Sequence, residues 1–404
     1  MNHVMKRRIL LVDGEGQPLH ELRAELAAVA AGWDIVTSPS GAAALASLAS
    51  APVDAVVADL QLTDMTGEQL LGQVLQQFPT AHRIVLADLG DIQALLRCVG
   101  GLNQFVIKPC TAGRLQTVLK RAFELDVWLP NHAVRQLIGR MPRLPSIAES
   151  YHATVREAQS ATTTPESLGA LIGRDPAMTA KMLQLANSAA YGEPTDDFDP
   201  VEAVREIDIS NTRACLLLAH TWSNFAPLEQ SEFSMRSLWT HSSEVAQLAA
   251  WLAQLETAPT PVVGMARTAG LLHDIGKLAL AANLPEQFLR AVMLAKERGG
   301  EASSAEAEIF GSTHGDVGGC LLGIWGLPVP VVEAVALHHH PACFSGKSFT
   351  PLTAVHVANA LLRAESSEHF HALVDRDYLS VLGLEKKVPA WWSQCREVIK
   401  GMRQ

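Results

Sequence analysis

The stretch GLLHDIGKLAL, residues 270–280, places His273, Asp274 and Lys277 close together. Imidazole and carboxylate groups together suit divalent ions such as iron, manganese, zinc or magnesium. A lysine beside them can pair with a phosphate oxygen. The chemistry on offer is therefore metal-assisted attack on a phosphate ester. On a regular helix, adjacent side chains diverge by about 100°. His273 and Asp274 can share an ion only if it sits between those directions, close to the backbone. The i, i+4 spacing places Lys277 on the face of His273.

Further candidate ligands are scattered along the same half of the chain: His241, His314, the pair His338–His339 in HHHP, and His356 in AVHVANAL. A single helical histidine is usually packed or exposed without a metal, and HHHP also suits a polar helix end. A different group occurs earlier. Asp13, Asp59, Ala87 and Lys108 each stand at the end of a short apolar run. In parallel sheets ligands bind at the carboxyl ends of the strands, so two acids and a lysine are expected to converge there. A carboxylate beside a divalent cation can accept a phosphoryl group.

The elements that must position these residues follow two patterns. Over 7–126, apolar runs at RILLV (8–12), DIVTS (34–38), AVVAD (55–59), RIVLA (83–87) and QFVIK (104–108) alternate with amphipathic runs such as 20–32 and 67–78. That alternation implies a five-stranded parallel sheet covered by helices. Beyond about 127 the spacing is helical almost throughout, as in 165–192, 244–256 and 331–340. The proline-containing segment 124–146 joins the two parts. Arg174–Asp175–Pro176 reads as a helix start, with Asp175 the cap. Met178, Leu183, Leu185, Asn187 and Tyr191 are expected to line a core or groove. Trp391 and Trp392 are expected to cap the chain's own core or to anchor an interface.

The formal charge is −10 and the six cysteines are scattered without CxxC spacing. A reduced, cytoplasmic protein is expected, with no membrane span and no direct DNA binding.

Residues 7–126 resemble the receiver domain of two-component response regulators, through ILLVDGEG, VVADLQLTDMTG and VIKP. The resemblance implies a flavodoxin-like α/β fold with Asp59 as phospho-acceptor, Asp13 in the acidic pocket and Lys108 as phosphate partner. Two family features are missing. Gly14 stands where the second acid of the first loop belongs, with Glu15 a partial substitute from another position. Ala87 stands where a hydroxyl is usual. Magnesium needs several oxygen ligands, so its binding here is expected to be weak or absent, and phosphorylation poor.

HDIGK and its flanking histidines resemble the HD superfamily of metal-dependent phosphohydrolases. The resemblance implies ligand positions at His241, His273, Asp274, His314, His338 and His339. The final position, normally an aspartate, is matched to His356. No Gly-Tyr-Pro motif follows HHHP, so cleavage of cyclic di-GMP is not expected. LPSIAES and ESLGALIGRDPAMTAKMLQLANSAAYG, within 144–192, are similar to the HDOD domain, an all-α signalling module related to the HD enzymes.

The expected division is receiver 1–126, linker helix 127–142, HDOD domain 143–365 and helical extension 366–404. The expected function is a bacterial response regulator whose HDOD output domain binds a protein or nucleotide. A histidine kinase or other signalling proteins are the expected partners, and a homodimer the expected state. The alternative is an HD-type phosphohydrolase acting on a nucleotide or phosphodiester, with Lys277 in a catalytic role.

Overall fold

The computed structural model describes residues 7–14, 16–30, 32–87, 104–128, 134, 137–138, 144–146, 148–189, 199–218 and 233–402. Five parallel strands are present: β1 (Arg8–Val12), β2 (Asp34–Ser38), β3 (Ala55–Asp59), β4 (His82–Ala87) and β5 (Gln104–Ile107). Their order is β2-β1-β3-β4-β5. Asp59 pairs with Leu86 in register, which brings the carboxyl ends of β3 and β4 level.

Alternate strand residues point to opposite faces. Ile9, Leu11, Val57, Ile84 and Val106 pack under α1 (Gly16–Val29) and α4 (Ala112–Trp128). Leu10, Val12, Val56, Val85, Phe105 and Ile107 face the side covered by α2 (Gly41–Ser50) and α3 (Gly67–Gln77). This second core is continuous with that of the helical region. Helix α2 starts with Asp64 accepting from the N–H groups of Gly41 and Ala42 at 2.9 and 2.8 Å. A negative charge is favourable at that helix end. Helix α3 starts in a capping box between Thr66 and Gln69.

The helical region opens with α5 (Ala148–Gln159), α6 (Pro165–Ile172), α7 (Pro176–Ala189), α8 (Pro200–Ile207) and α9 (Ile209–Leu218). The run expected to be helical over 165–192 is therefore divided. Gly173 ends α6, and Asp175 caps α7 by accepting from Met178 N–H at 3.0 Å. Met178, Leu183 and Leu185 are buried in the core. Asn187 is half-buried, and Tyr191 lies outside the described residues.

The remaining helices are α10 (Met235–Leu255), α11 (Thr260–Leu272), α12 (Ile275–Asn283), α13 (Pro285–Arg298), α14 (Ala302–Phe310), α15 (His314–Ile324), α16 (Val329–Leu337), α17 (Pro351–Arg363), α18 (Ser367–Leu373), α19 (Arg376–Val381) and α20 (Val388–Met402). Trp391 on α20 is buried and donates to Glu256 Oε1 at 2.9 Å. Trp392 stacks on Phe370, with 5.7 Å between centroids. The tail thus closes over this chain's own core. Helix α4 runs past 126 to Trp128. Of the expected linker helix 127–142, only 127–128, 134, 137 and 138 lie among the described residues. No helix among the described residues is long and apolar enough to cross a membrane.

Asp175 is fully buried. Its Oδ1 also accepts from Ser146 Oγ at 3.3 Å, while Oδ2 has no hydrogen-bond partner among the described residues. Burial pushes its pKa up to about 8. Below about pH 4 the carboxyl is protonated both folded and unfolded. As pH rises toward 8, the unfolded chain gives up this proton first, so stability falls across that window. Asp175→Asn keeps the cap acceptor and cannot ionise. We expect the Tm of Asp175→Asn minus that of the wild type to increase from about pH 5 to about pH 8. Thermal melts that run parallel over this range would refute the assignment.

Candidate metal centre and receiver pocket

The HD pair does not sit within one helix. His273 ends α11, and the helical path breaks at Asp274 (φ −100°, ψ 12°) before α12 begins. The break lets both side chains turn inward, which a continuous helix would resist. It also changes the place of Lys277. Instead of stacking on His273, its Nζ donates to Asp274 Oδ2 at 2.9 Å. Close packing holds the break in place. A Cβ on Gly276 would lie 2.0 Å from the carbonyl oxygen of His314, so only glycine admits α15 here.

Six of the expected ligands meet in two adjoining groups, His241–His273–Asp274 and His314–His338–His339. His241 comes from α10, His314 is the first residue of α15, and His338 and His339 follow α16. Three rings are oriented through Nδ1. His273 donates to Gly270 O at 2.8 Å, His338 to Val335 O at 2.8 Å and His314 to Glu306 Oε2 at 2.6 Å. With Nδ1 carrying the proton, each Nε2 presents a lone pair. His314 Nε2 lies 3.3 Å from His338 Nε2, 3.2 Å from His339 Nε2 and 3.2 Å from Asp274 Oδ1. Bonds of about 2.1 Å to one metal ion would set neighbouring ligands about 3.0–3.4 Å apart. His273 Nε2 and Asp274 Oδ1 are buried without an aligned hydrogen bond. The donor set therefore fits a divalent metal.

The charge states agree with that chemistry. Burial lowers the pKa of His273 to about 4 and that of His339 to about 2, and it drives His338 well below the ordinary value. Burial also lowers His241. These rings are neutral at pH 7, as ligation requires. Burial alone would raise Asp274, but His273, Lys277 and His314 hold it well below the carboxylate range. His314 is also buried, yet Glu306 and Asp274 carry its pKa upward.

His356 is not part of either group. Its Nδ1–H donates to His338 O at 2.8 Å, and its Nε2 accepts from Asp375 N–H at 2.9 Å. Both nitrogens are engaged, so the expected ligand role is replaced by a structural one that braces the His338 backbone. One turn further along α17, Asn359 Oδ1 lies 3.0 Å from His241 Nε2. An amide, and not a carboxylate, therefore faces His241 from α17. Glu306 was also missed. It is buried and accepts from both the N–H and Nδ1–H of His314. Nothing in SSAEAEIF distinguishes it from a solvated acid until α14 is packed against α15.

An open cavity of about 590 Å³ exposes this cluster to ligand. His241, Asp274, Lys277 and His339 are on its wall, with Lys296 of α13, Arg363 of α17 and the ring of Phe288 around them. Cationic groups and a buried carboxylate with imidazoles make a suitable setting for a phosphorylated ligand.

In the receiver pocket, Asp59 pairs through Oδ2 with Lys108 and accepts at Oδ1 from Gln61 N–H at 3.0 Å. Asp13 and Ala87 are buried at neighbouring strand ends. A Cβ on Gly67 would lie 2.1 Å from Asp59 O, so glycine lets the acceptor loop close. A Cβ on Gly14 would lie 2.9 Å from Thr63 Cγ2, so an acid at 14 would have to displace Thr63. Glu15 lies outside the described residues.

Comparison with known proteins gives the same two parts. The response regulator receiver domain model matches residues 9–120, and the HDOD domain model matches 144–341. An uncharacterized protein of Treponema pallidum is 24% identical over 260 residues, 63% of this chain and 48% of that protein. The transcriptional regulatory protein KdpE of Mycobacterium tuberculosis is 36% identical over 102 residues, 25% of this chain and 44% of its own. The chain therefore spans less than half the length of these relatives. Among solved structures, the MmoQ response regulator of Methylococcus capsulatus aligns with a TM-score of 0.47 and 24% identity, covering 62% of this chain and 98% of that one. An HDOD domain protein of Geobacter sulfurreducens gives a TM-score of 0.43 and 20% identity, covering 69% and 97%. The chain belongs to the proteins that join a receiver domain to an HDOD domain, the architecture of a signalling response regulator.

Proposed function

We propose that this chain is a cytoplasmic bacterial response regulator whose HDOD domain holds a divalent metal and uses the pocket beside it to bind a protein or a nucleotide. The observation that carries this reading is the shared orientation of His273, His314 and His338. Each has its Nδ1–H bonded to an oxygen and its Nε2 turned toward the Asp274 carboxylate or a neighbouring Nε2. Iron, manganese, zinc and magnesium are the candidate ions. The functional units follow the division 1–126, 127–142, 143–365 and 366–404. A histidine kinase or another signalling protein addresses the receiver, and the chain acts as a homodimer.

The receiver is proposed as a docking module with little phosphoryl chemistry. Its pocket lacks an acid at 14 and a hydroxyl at 87, so magnesium and the phosphoryl group each lose a partner. The second reading, a phosphohydrolase, is favoured by one observation: the open cavity brings Lys277 and Arg363 to the same wall as Asp274. A bound metal supplies an activated water in such sites. Asp274 would hold the ion, Lys277 would fix Asp274 and meet a phosphate oxygen, and Arg363 would orient the rest of the ligand.

Purified protein is expected to retain a divalent metal by elemental analysis. Glu306→Gln weakens the hydrogen bond that orients His314 and is expected to lower metal affinity about 10- to 100-fold, read by chelator competition on folded protein. Metal-free protein that takes up none of the four ions would end the metal reading. With metal bound, a screen of nucleotides and phosphodiesters separates the two roles. Turnover that disappears in Asp274→Ala establishes the enzyme, whereas ligand binding without turnover establishes the signalling module.

For the receiver, acetyl phosphate and magnesium are expected to leave the intact mass of the protein unchanged. A stoichiometric phosphoryl adduct that is absent from Asp59→Ala would overturn the docking role.

A further inference from the structure

Helix α15 joins the two sites. Its first residue, His314, belongs to the cluster. Its last turn touches the receiver, where the Gln104 side chain on β5 donates to Gly323 O at 3.4 Å. Just beyond that turn, Lys181 Nζ lies 3.8 Å from the centroid of Trp325. Lys181 is on α7, and α7 packs along β5. The two ends of α15 are about 15 Å apart at 1.5 Å per residue.

The helix has little room to deform between those ends. A Cβ on Gly315 would lie 2.7 Å from Ala336 O, and one on Gly319 would lie 2.6 Å from Ala336 Cβ. A Cβ on Gly318 would lie 3.0 Å from side-chain carbons of both Ile275 and Val335. These neighbours are on α12 and α16, the helices that follow Asp274 and precede His338. A push on the receiver end is therefore passed along α15 and is not absorbed by loose packing. On the other side, β5 leads directly into Lys108, the partner of Asp59.

We infer that α15 is a rigid strut through which the receiver positions His314, so that receiver-pocket state and metal occupancy bias each other. Gln104 and Trp325 are then positioning residues, since neither belongs to the cluster. Metal–ligand distances tolerate only about 0.2 Å, so a small axial shift of α15 is enough to alter affinity. Any such coupling is reciprocal. This inference rests on the reading of the cluster as a metal centre.

The test uses the full chain with manganese(II) as probe. In wild-type protein, added manganese is expected to slow hydrogen–deuterium exchange in peptides covering 104–108 as well as 314–324. Gln104→Ala is expected to weaken manganese affinity by about fivefold or more and to remove the protection at 104–108. The wild-type exchange experiment needs no variant, so a folding defect in Gln104→Ala does not obscure it. If manganese binds but protection stops inside the helical domain, the strut is refuted and the metal centre stands. If wild-type protein binds none of manganese, iron, zinc and magnesium, both fall.

Discussion

The site depends on one constraint: a ring whose Nδ1–H is already bonded has only Nε2 left to offer. Gly270 O, Val335 O and the Glu306 carboxylate impose that constraint on His273, His338 and His314. Two of these acceptors are backbone carbonyls three residues upstream, so the end of the helix orients its own histidine. The third is a buried acid from another helix. The result is a set of Nε2 atoms aimed at a common region before any ligand arrives. Burial maintains the neutral state by lowering the pKa of His273, His338 and His339. Packing and proton chemistry therefore act together, and neither would make a ligand cluster alone.

The receiver shows the opposite balance. Its described residues keep the framework, with level strand ends, a closed acceptor loop at Gly67 and Lys108 on Asp59. What it lacks are individual functional groups. No acid stands at 14, and Lys108 pairs with Asp59. The proposed docking role rests on the domain's contacts. Those contacts are substantial: the β5 face of the sheet shares its apolar core with the helical region.

Much of this was legible in the sequence. Short continuous apolar runs gave the five strands to within a residue, because strands buried on both faces are apolar throughout. Asp175 was readable as a cap because Pro176 follows it. Six of the seven histidine or aspartate positions proposed as ligands do come together. The errors share one physical cause, that local spacing does not report tertiary direction. His273 and Lys277 have the spacing of helical neighbours, yet the break at Asp274 turns the lysine onto the carboxylate. His356 and Asn359 lie on the same helix, but the carbonyl of His338 and the N–H of Asp375 occupy both nitrogens of the histidine. Glu306 gave no local signal at all. Its role exists only where α14 and α15 meet.

The amide of Asn359 beside His241 bears on which role the proposed centre performs. An amide can hold His241 in place, but it adds no negative charge. Asp274 is then the single carboxylate among the grouped ligands, and burial lowers the pKa of His241, His273, His338 and His339 beside it. Divalent ions bound there keep more of their positive charge than they would beside a second carboxylate. Lys277, Lys296 and Arg363 add to it around the same cavity. Such a site attracts an anionic ligand strongly in its ground state. Binding energy spent equally on ground and transition states does not accelerate a reaction. Charge around the cavity thus accounts for holding an anionic ligand and does not by itself supply turnover, which is consistent with the proposed binding role.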